Sequence, residues 1–346
     1  MNRIITVFLA LAMVANTGFT QENVPTDGRS PAAHTGRVPV GNYDPLEAPN
    51  TYRSEDNPVY WKNNDKLATD YWQQDVHYRI HARLDDEANT IKGIDTLTYW
   101  NNSPDTLHKV YFHLYQNAFQ PGSYYHLYNL ANNRKPTYGV YEQQGLGTVV
   151  TNLKADGQKV EKELDNTILK VALPQPIMPG ERMKFTMEFK TFFDNGSLRR
   201  RMKMYKHHGV KHFNAVMWYP RIAVYDHKAG WQTDQHLGKE FYGDFGTFDV
   251  HLTLPKEYIV QGTGNLVNRQ QVLPEELLEA IDVANYEDEE SKAEAEVLLK
   301  SYLSRYSDSV KTWKYHDENV HDFAFTADPN YRMGVKRSQQ GVRCIA

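Results

Sequence analysis

The sequence predicts an all-β chain of large antiparallel sheets packed on each other, with one short acidic helical insertion. Three observations predict it. Apolar and polar residues alternate with period two over several stretches. Gly, Pro and Asn turns separate those stretches. Tyr and Phe number 23 and 14 among 346 residues, and aromatic residues suit half-buried strands.

The elements follow in order. Residues 1–20 read as an export signal: Arg3 gives the positive start, and Ile4 to Ala15 is an apolar run too short to span a membrane. Cleavage is expected near Thr20, leaving a protein in the periplasm or secreted, without a membrane span. Residues 21–68 are rich in Pro, Asn, Asp and Gly and read as an extended arm. The β domain is expected over 69–346. Val76, Tyr78, Ile80, Ala82 and Leu84 alternate with charged residues, as a half-buried strand does. A turn at 85–89 leads to a strand through Ile94 to Trp100. Further strands are expected at Val110–Leu114, at 168–173, at Met183–Phe189 after the Pro179-Gly180 turn, and at Phe248–Leu254. Thr312 to Phe325 is strand-like again, with Phe323 and Phe325 on one face.

Residues 274–308 differ. Pro274, Glu275 and Glu276 suit a first helical turn. Ser291 and Glu294 have capping-box spacing, and Ala295, Leu298, Leu299, Tyr302 and Tyr306 fall on one face. The segment holds 11 acidic and 3 basic residues, a net of −8, so the remainder carries +4 of the total −4. It reads as an insertion between strands with a solvated face.

Composition excludes several functions. A net charge of −4 does not fit a general nucleic-acid binder. The single cysteine, Cys344, permits no internal disulfide and no Cys-rich zinc module. No internal repeat is present.

Chemistry-bearing motifs are incomplete. His208 and His212 stand at i, i+4 without the glutamate of HExxH and around a glycine; His316 and His321 stand at i+5, on opposite faces of a strand. Gly145-Leu-Gly147 and Gly262-Thr-Gly264 lack the third glycine of a dinucleotide loop and read as turns. There is no P-loop and no Gly-x-Ser-x-Gly elbow. Arg199, Arg200, Arg201, Lys203, Lys206 and Lys211 form a basic stretch without an acid. It reads as a solvated loop, a partner of the acidic helices or an anion site. No residue of the chain is assigned a catalytic or metal-ligating role.

Four ordered stretches carry a resemblance: residues 78–119 (beginning YRIHARL), 165–189 (DNTILKVALPQPIMPGERMKFTMEF), 218–264 (beginning WYPRIAVYDHKAGW) and 319–331 (NVHDFAFTADPNY). In order and spacing they resemble the N-terminal β domain of the aminopeptidase N-like gluzincin family, exported Bacteroidetes-type members above all. The acidic helices before the NVHDFAF stretch resemble an insertion in those members. The resemblance implies a saddle-shaped β-sandwich, followed in the family by a catalytic domain. There an HExxH helix and a distant Glu hold zinc, and peptides are cleaved from the amino end.

None of those zinc residues occurs in this sequence. The chain stops at residues 342–346 within a strand-like run and is expected to lack its catalytic partner domain, to bind no zinc itself and to be inactive alone. Family members supply a Gln or Glu upstream of the WYP run to the substrate amine. Asn214, Ala215, Val216 and Met217 precede Trp218, so that role is unassigned. Trp218, Tyr219 and Asp226 match the pattern and read as strand packing and a turn. Two other readings are a β-sandwich binding module for peptides or glycans, presenting exposed Tyr and Trp, and a structural protein whose acidic helix docks a basic partner.

Overall fold

The computed structural model describes residues 71–195, 201–207, 209–227, 230–238, 242–337 and 343–345. The export signal, the arm, Arg199, Arg200 and His208 lie outside the described residues. The described chain falls into two compact units. The larger takes its residues from 33–272 and 308–329, the smaller from 273–307 and 330–346.

In the larger unit the strands are, in chain order, β1 (Asp75–Asp85), β2 (Thr90–Trp100), β3 (Leu107–His113), β4 (Thr148–Ala155), β5 (Gln158–Lys159), β6 (Glu161–Asp165), β7 (Ile168–Ile177), β8 (Arg182–Phe192), β9 (Lys203–His207), β10 (Val210–Ala215), β11 (Arg221–Ile222), β12 (Tyr225–Asp226), β13 (Gly230–Trp231), β14 (Gly246–Pro255), β15 (Ile259–Gly262), β16 (Asn265–Leu266), β17 (Val310–Val320) and β18 (Phe325–Asp328). Helices α1 (Tyr124–Ala131), α2 (Val140–Gln143) and α3 (Arg269–Val272) lie between them.

One eight-stranded sheet, in the order β16-β17-β14-β1-β2-β8-β4-β5, dominates the unit. Two four-stranded sheets, β11-β3-β7-β6 and β15-β18-β10-β9, supply the opposing layer. The pairing is antiparallel throughout the named strands except at the centre, where β1 and β14 run parallel from Val76 opposite Gly246 to Arg83 opposite Thr253.

The alternation read in β1 holds residue by residue: Val76, Tyr78, Ile80, Ala82 and Leu84 are buried and the residues between them are not. Met183, Phe185, Met187 and Phe189 of β8 and Phe248, Val250, Leu252 and Leu254 of β14 continue the same inward face. Facing sheets meet there through aromatic edges. Phe112 of β3 meets Phe185 of β8 edge-on at 5.7 Å, and within the large sheet Tyr78 stacks at 4.8 Å on its neighbour Phe248. Such ring pairs add about 0.5–1.5 kcal/mol beyond the area they bury. The Pro179-Gly180 turn forms as expected, with Gly180 at φ +79°, a conformation glycine adopts without steric cost.

The basic stretch differs from the expected loop. Residues 203–215 make the β9–β10 hairpin, Lys203 is buried, and Lys211 Nζ donates to the carbonyl of Asp86. Strand pairing with β18 holds the hairpin against the core, which outweighs the solvation preference of its lysines.

The smaller unit contains α4 (Glu275–Ala280), a 3-10 turn (Val283–Tyr286), α5 (Glu289–Arg305), and strands β19 (Val335–Arg337) and β20 (Arg343–Ile345). The helical reading of 274–308 is therefore broken into three pieces. The cap of α5 is Asp288, whose side chain accepts from the backbone of Glu290 and Ser291 at 3.0 and 2.9 Å, in place of the Ser291–Glu294 box. Asp288, directly ahead of Glu289 and Glu290, is the stronger start signal, because its side chain satisfies two orphan N–H groups at once. Ala295 and Tyr302 are buried as the face predicts, and Arg305 pairs with Glu276.

Candidate functional site

The stretch beginning at Trp218 sits where the sheets meet. Its approach is strained: Met217 has φ +56°, which costs a non-glycine residue energy and persists only where its surroundings hold it. Gln116, on a 3-10 turn after β3, supplies that hold. Its buried Nε2 donates to the carbonyls of Val216 and Met217 at 3.3 and 3.1 Å. No Gln or Glu stands at 214–217, directly before Trp218, and the one that reaches the turn comes from a hundred residues upstream. Only the three-dimensional pairing of β3 with β11 reveals it.

Trp218 and Tyr219 are fully buried. Trp218 Nε1 donates to the carbonyl of Phe323 at 2.9 Å, while its own carbonyl accepts from Thr191 Oγ1 at 2.7 Å. The Tyr219 hydroxyl donates to Asp322 Oδ1 at 2.6 Å.

Arg221 is the centre of the cluster and only 3% exposed. Its Nη2 donates to the carbonyl of His321 and, at 3.4 Å, to that of Asp244. A Cβ on Gly243 would fall 1.8 Å from Nη2, so the guanidinium occupies the space that any other residue would fill. Burial alone would weaken the hold of Arg221 on its proton. The surrounding Tyr219, Tyr115, Asp322 and Tyr78 outweigh it and hold the group above its usual range. Burial raises the Asp322 carboxyl, opposed by Arg221 and the Tyr219 hydroxyl. Burial also pushes Asp244 up to about 7, against the pull of Arg221.

Two imidazoles border the cluster. His113, opposite Arg221 on β3, stacks on Tyr115 at 5.0 Å, and its Nε2 lies 3.1 Å from the Gln232 carbonyl. Burial and then the Arg221 charge lower it to about 3, so it stays neutral near pH 7. His236 meets Tyr115 edge-on at 5.2 Å. Asp226 is buried and accepts from the Tyr242 hydroxyl.

The arrangement locks three loops, 216–224, 242–246 and 321–323, around one buried cation. It contains no exposed nucleophile paired with a base. The described histidines of the two spacings are bonded within the fold: His212 Nδ1 lies 3.0 Å from Asp328, His316 Nδ1 lies 2.7 Å from Asp249, and the carbonyl of His321 serves Arg221. Among the described residues no group of three or more His, Cys, Asp or Glu could hold a metal ion. These residues do not fit a zinc centre, and no chemistry through zinc is derived from them. Gly145 and Gly264 take positive φ in turns. The exposed aromatic surface expected of a binding module reduces, among the described residues, to Tyr242 and Phe245. No described helix is long and apolar enough to cross a membrane.

No protein-family model and no curated protein matches the chain. The solved structures to which the chain is similar include M1 zinc metallopeptidases. The enzyme from Deinococcus radiodurans is 15% identical, covering 79% of this chain and 47% of that one at a TM-score of 0.43. A substituted form of it bound to a Tyr-Ser-Ala substrate is 13% identical, covering 77% and 44% at a TM-score of 0.41. The chain thus spans under half the length of these structures. The likeness is one of fold.

Proposed function

We propose that this chain is the N-terminal, non-catalytic part of an exported zinc-dependent aminopeptidase of the gluzincin type. Its β domain would wall the active-site cleft, and the zinc residues would lie on a partner domain outside this sequence. The observation that carries the reading is convergence. Two of the stretches that resemble the family, WYPR at 218–221 and NVHDFAF at 319–325, lie about a hundred residues apart. Three bonds join them: Trp218 to the Phe323 carbonyl, Tyr219 to Asp322, and Arg221 to the His321 carbonyl. The resembling residues thus form one built unit.

The test is the intact mass and N-terminus of the protein purified from its native cells, followed by assay on aminoacyl-coumarin substrates. A mass well above 40.1 kDa, a start near residue 21 and chelator-sensitive hydrolysis are expected. The 346-residue chain alone should neither hydrolyse them nor hold stoichiometric zinc. One tightly bound zinc per chain in that protein would overturn the reading.

A further inference from the structure

The outward face of the eight-stranded sheet arranges its charges in cross-strand rows. Arg83 of β1 stands opposite Lys92 of β2, and Lys92 opposite Lys190 of β8. In the neighbouring row, His81 stands opposite His251 of β14, and His251 opposite Lys314 of β17. The two imidazoles meet edge-on at 4.4 Å. An open groove of about 770 Å³ lies over these rows. Like charges directly opposite on neighbouring strands are destabilising. Among the described residues, no carboxylate pairs with Arg83, Lys92 or Lys190. Asp249, further along the face, is engaged by His77, Arg79 and His316. Glu188 is the only acid lining the groove. The groove is therefore a field of several cations and two imidazoles against the single carboxylate of Glu188, which stands on the same face two residues from Lys190.

We propose that this groove binds an acidic glycan, a chain whose successive sugars carry sulfate or carboxylate. The strands that carry these cations run about 4.8 Å apart, a spacing that favours a ligand with an anion on each successive unit. An extended acidic peptide places its same-side carboxylates roughly 6.8 Å apart, two residues along, out of step with the row. In the remaining lining the two imidazoles and the hydroxyls of Thr151, Thr253 and Thr312 suit sugar hydroxyls, and the exposed Ile94 and Val149 offer apolar contact to the C–H faces of sugar rings. No exposed phenyl, phenol or indole lines the groove, since Phe189 is buried. Nucleic acid bases therefore lack the stacking platform that single strands use. The groove is independent of the Arg221 cluster and does not rest on the peptidase reading.

The experiment is calorimetric titration of the purified protein with a sulfated heparin-derived tetrasaccharide. Uncharged cellotetraose and tetraglutamate are the comparators, and the double variant Lys92→Gln/Lys190→Gln is titrated alongside. Wild type should bind the sulfated sugar, with affinity falling as salt rises, and should bind tetraglutamate at least tenfold more weakly and cellotetraose not at all. The double variant should lose at least tenfold in affinity for the sulfated sugar while melting no lower than wild type, because the substitutions relieve repulsion. Absence of binding by wild type, equal binding by the folded double variant, or equal binding of tetraglutamate or cellotetraose would overturn the proposal.

Discussion

Two sets of cations in this molecule are held in opposite ways. Arg221 is sunk in the core, bonded to two backbone carbonyls and ringed by phenols and carboxyls. Arg83, Lys92 and Lys190 lie side by side on the outward face without an acid partner among the described residues. One arrangement spends its charge on fixing loops, and the other leaves it without an ion pair among those residues, Lys190 lying 4.6 Å over the ring of Phe192. The difference teaches that cation count says little about function; what neutralises each charge says more. A surface ion pair is worth little, whereas removing one member of a buried charged cluster leaves an uncompensated partner.

The sharpest way to break the comparison is to remove the buried cation. Arg221→Ala should cost about 3–5 kcal/mol in urea unfolding, and Gly243→Ala should destabilise strongly by driving a Cβ into the guanidinium. If Arg221→Ala lost under about 1 kcal/mol, on the scale of a surface ion pair, the cluster would hold nothing together. Trp218→Ala should cost a similar amount, about 3–5 kcal/mol for a buried indole, read as a fall in the denaturation midpoint.

A smaller effect of opposite sign is expected at Asp95. It is fully buried on the inward face of β2, between Ile80 and Met187, and neither carboxyl oxygen has a hydrogen-bond partner. Burial raises it well above the usual carboxylate range. A raised carboxyl favours the folded state at low pH and loses that contribution as pH rises. Asp95→Val should therefore stabilise by about 1–3 kcal/mol at pH 7, and the gain should shrink toward pH 4.

Asp244 follows the same sign. With an ordinary value of 3.8 when unfolded and about 7 when folded, it binds more protons in the native state between those limits. Its contribution to stability falls by at most about 1.4 kcal/mol per pH unit across that window. His113, lowered from 6.5 to about 3, acts in reverse, because the unfolded state binds the extra proton and stability falls as pH drops below 6.5. The Asp244→Asn variant should remove the Asp244 share of the slope and leave the opposed shares of His113 and of the raised carboxyls Asp95 and Asp322, measured as the denaturation midpoint from pH 4 to 7. An unchanged profile would place Asp244 outside the cluster's electrostatics. Least in size, Lys92→Gln should raise the melting temperature slightly, about 0.2–1 kcal/mol, by removing one cross-strand repulsion.

Much of the fold was legible in the sequence. β1, β8 and β14 each bury one face of a period-two pattern, so their inward residues could be named in advance. The helices of 274–308 were legible from acidic first turns, though Asp288 displaced the expected cap. The region between β3 and β7 was not read, because α1 is short and its signal is the lone cap Ser123, bonded to the His126 amide. The hairpin at 203–215 was hidden by its lysines.

The site was less legible. Trp218 and Tyr219 stood out as residues, but Arg221, Gly243, Gln116 and Asp322 are joined by contacts spanning up to a hundred residues. Local pattern does not encode such contacts. The cation row was equally invisible, since it exists only across the registers of three strands.

The parallel seam at the middle of the large sheet sets a timetable for assembly. β1 ends at Asp85 and its neighbour β14 begins at Gly246, about 160 residues later. A ribosome adding 5–20 residues per second needs roughly 10–30 s to supply that partner. For that interval β1 can pair with β2 on one side while its other edge stands open, a template for stray strands. The seam thus leaves one edge of the first strand unsealed until the fourteenth has emerged, and slow, aggregation-exposed folding follows from topology of this kind.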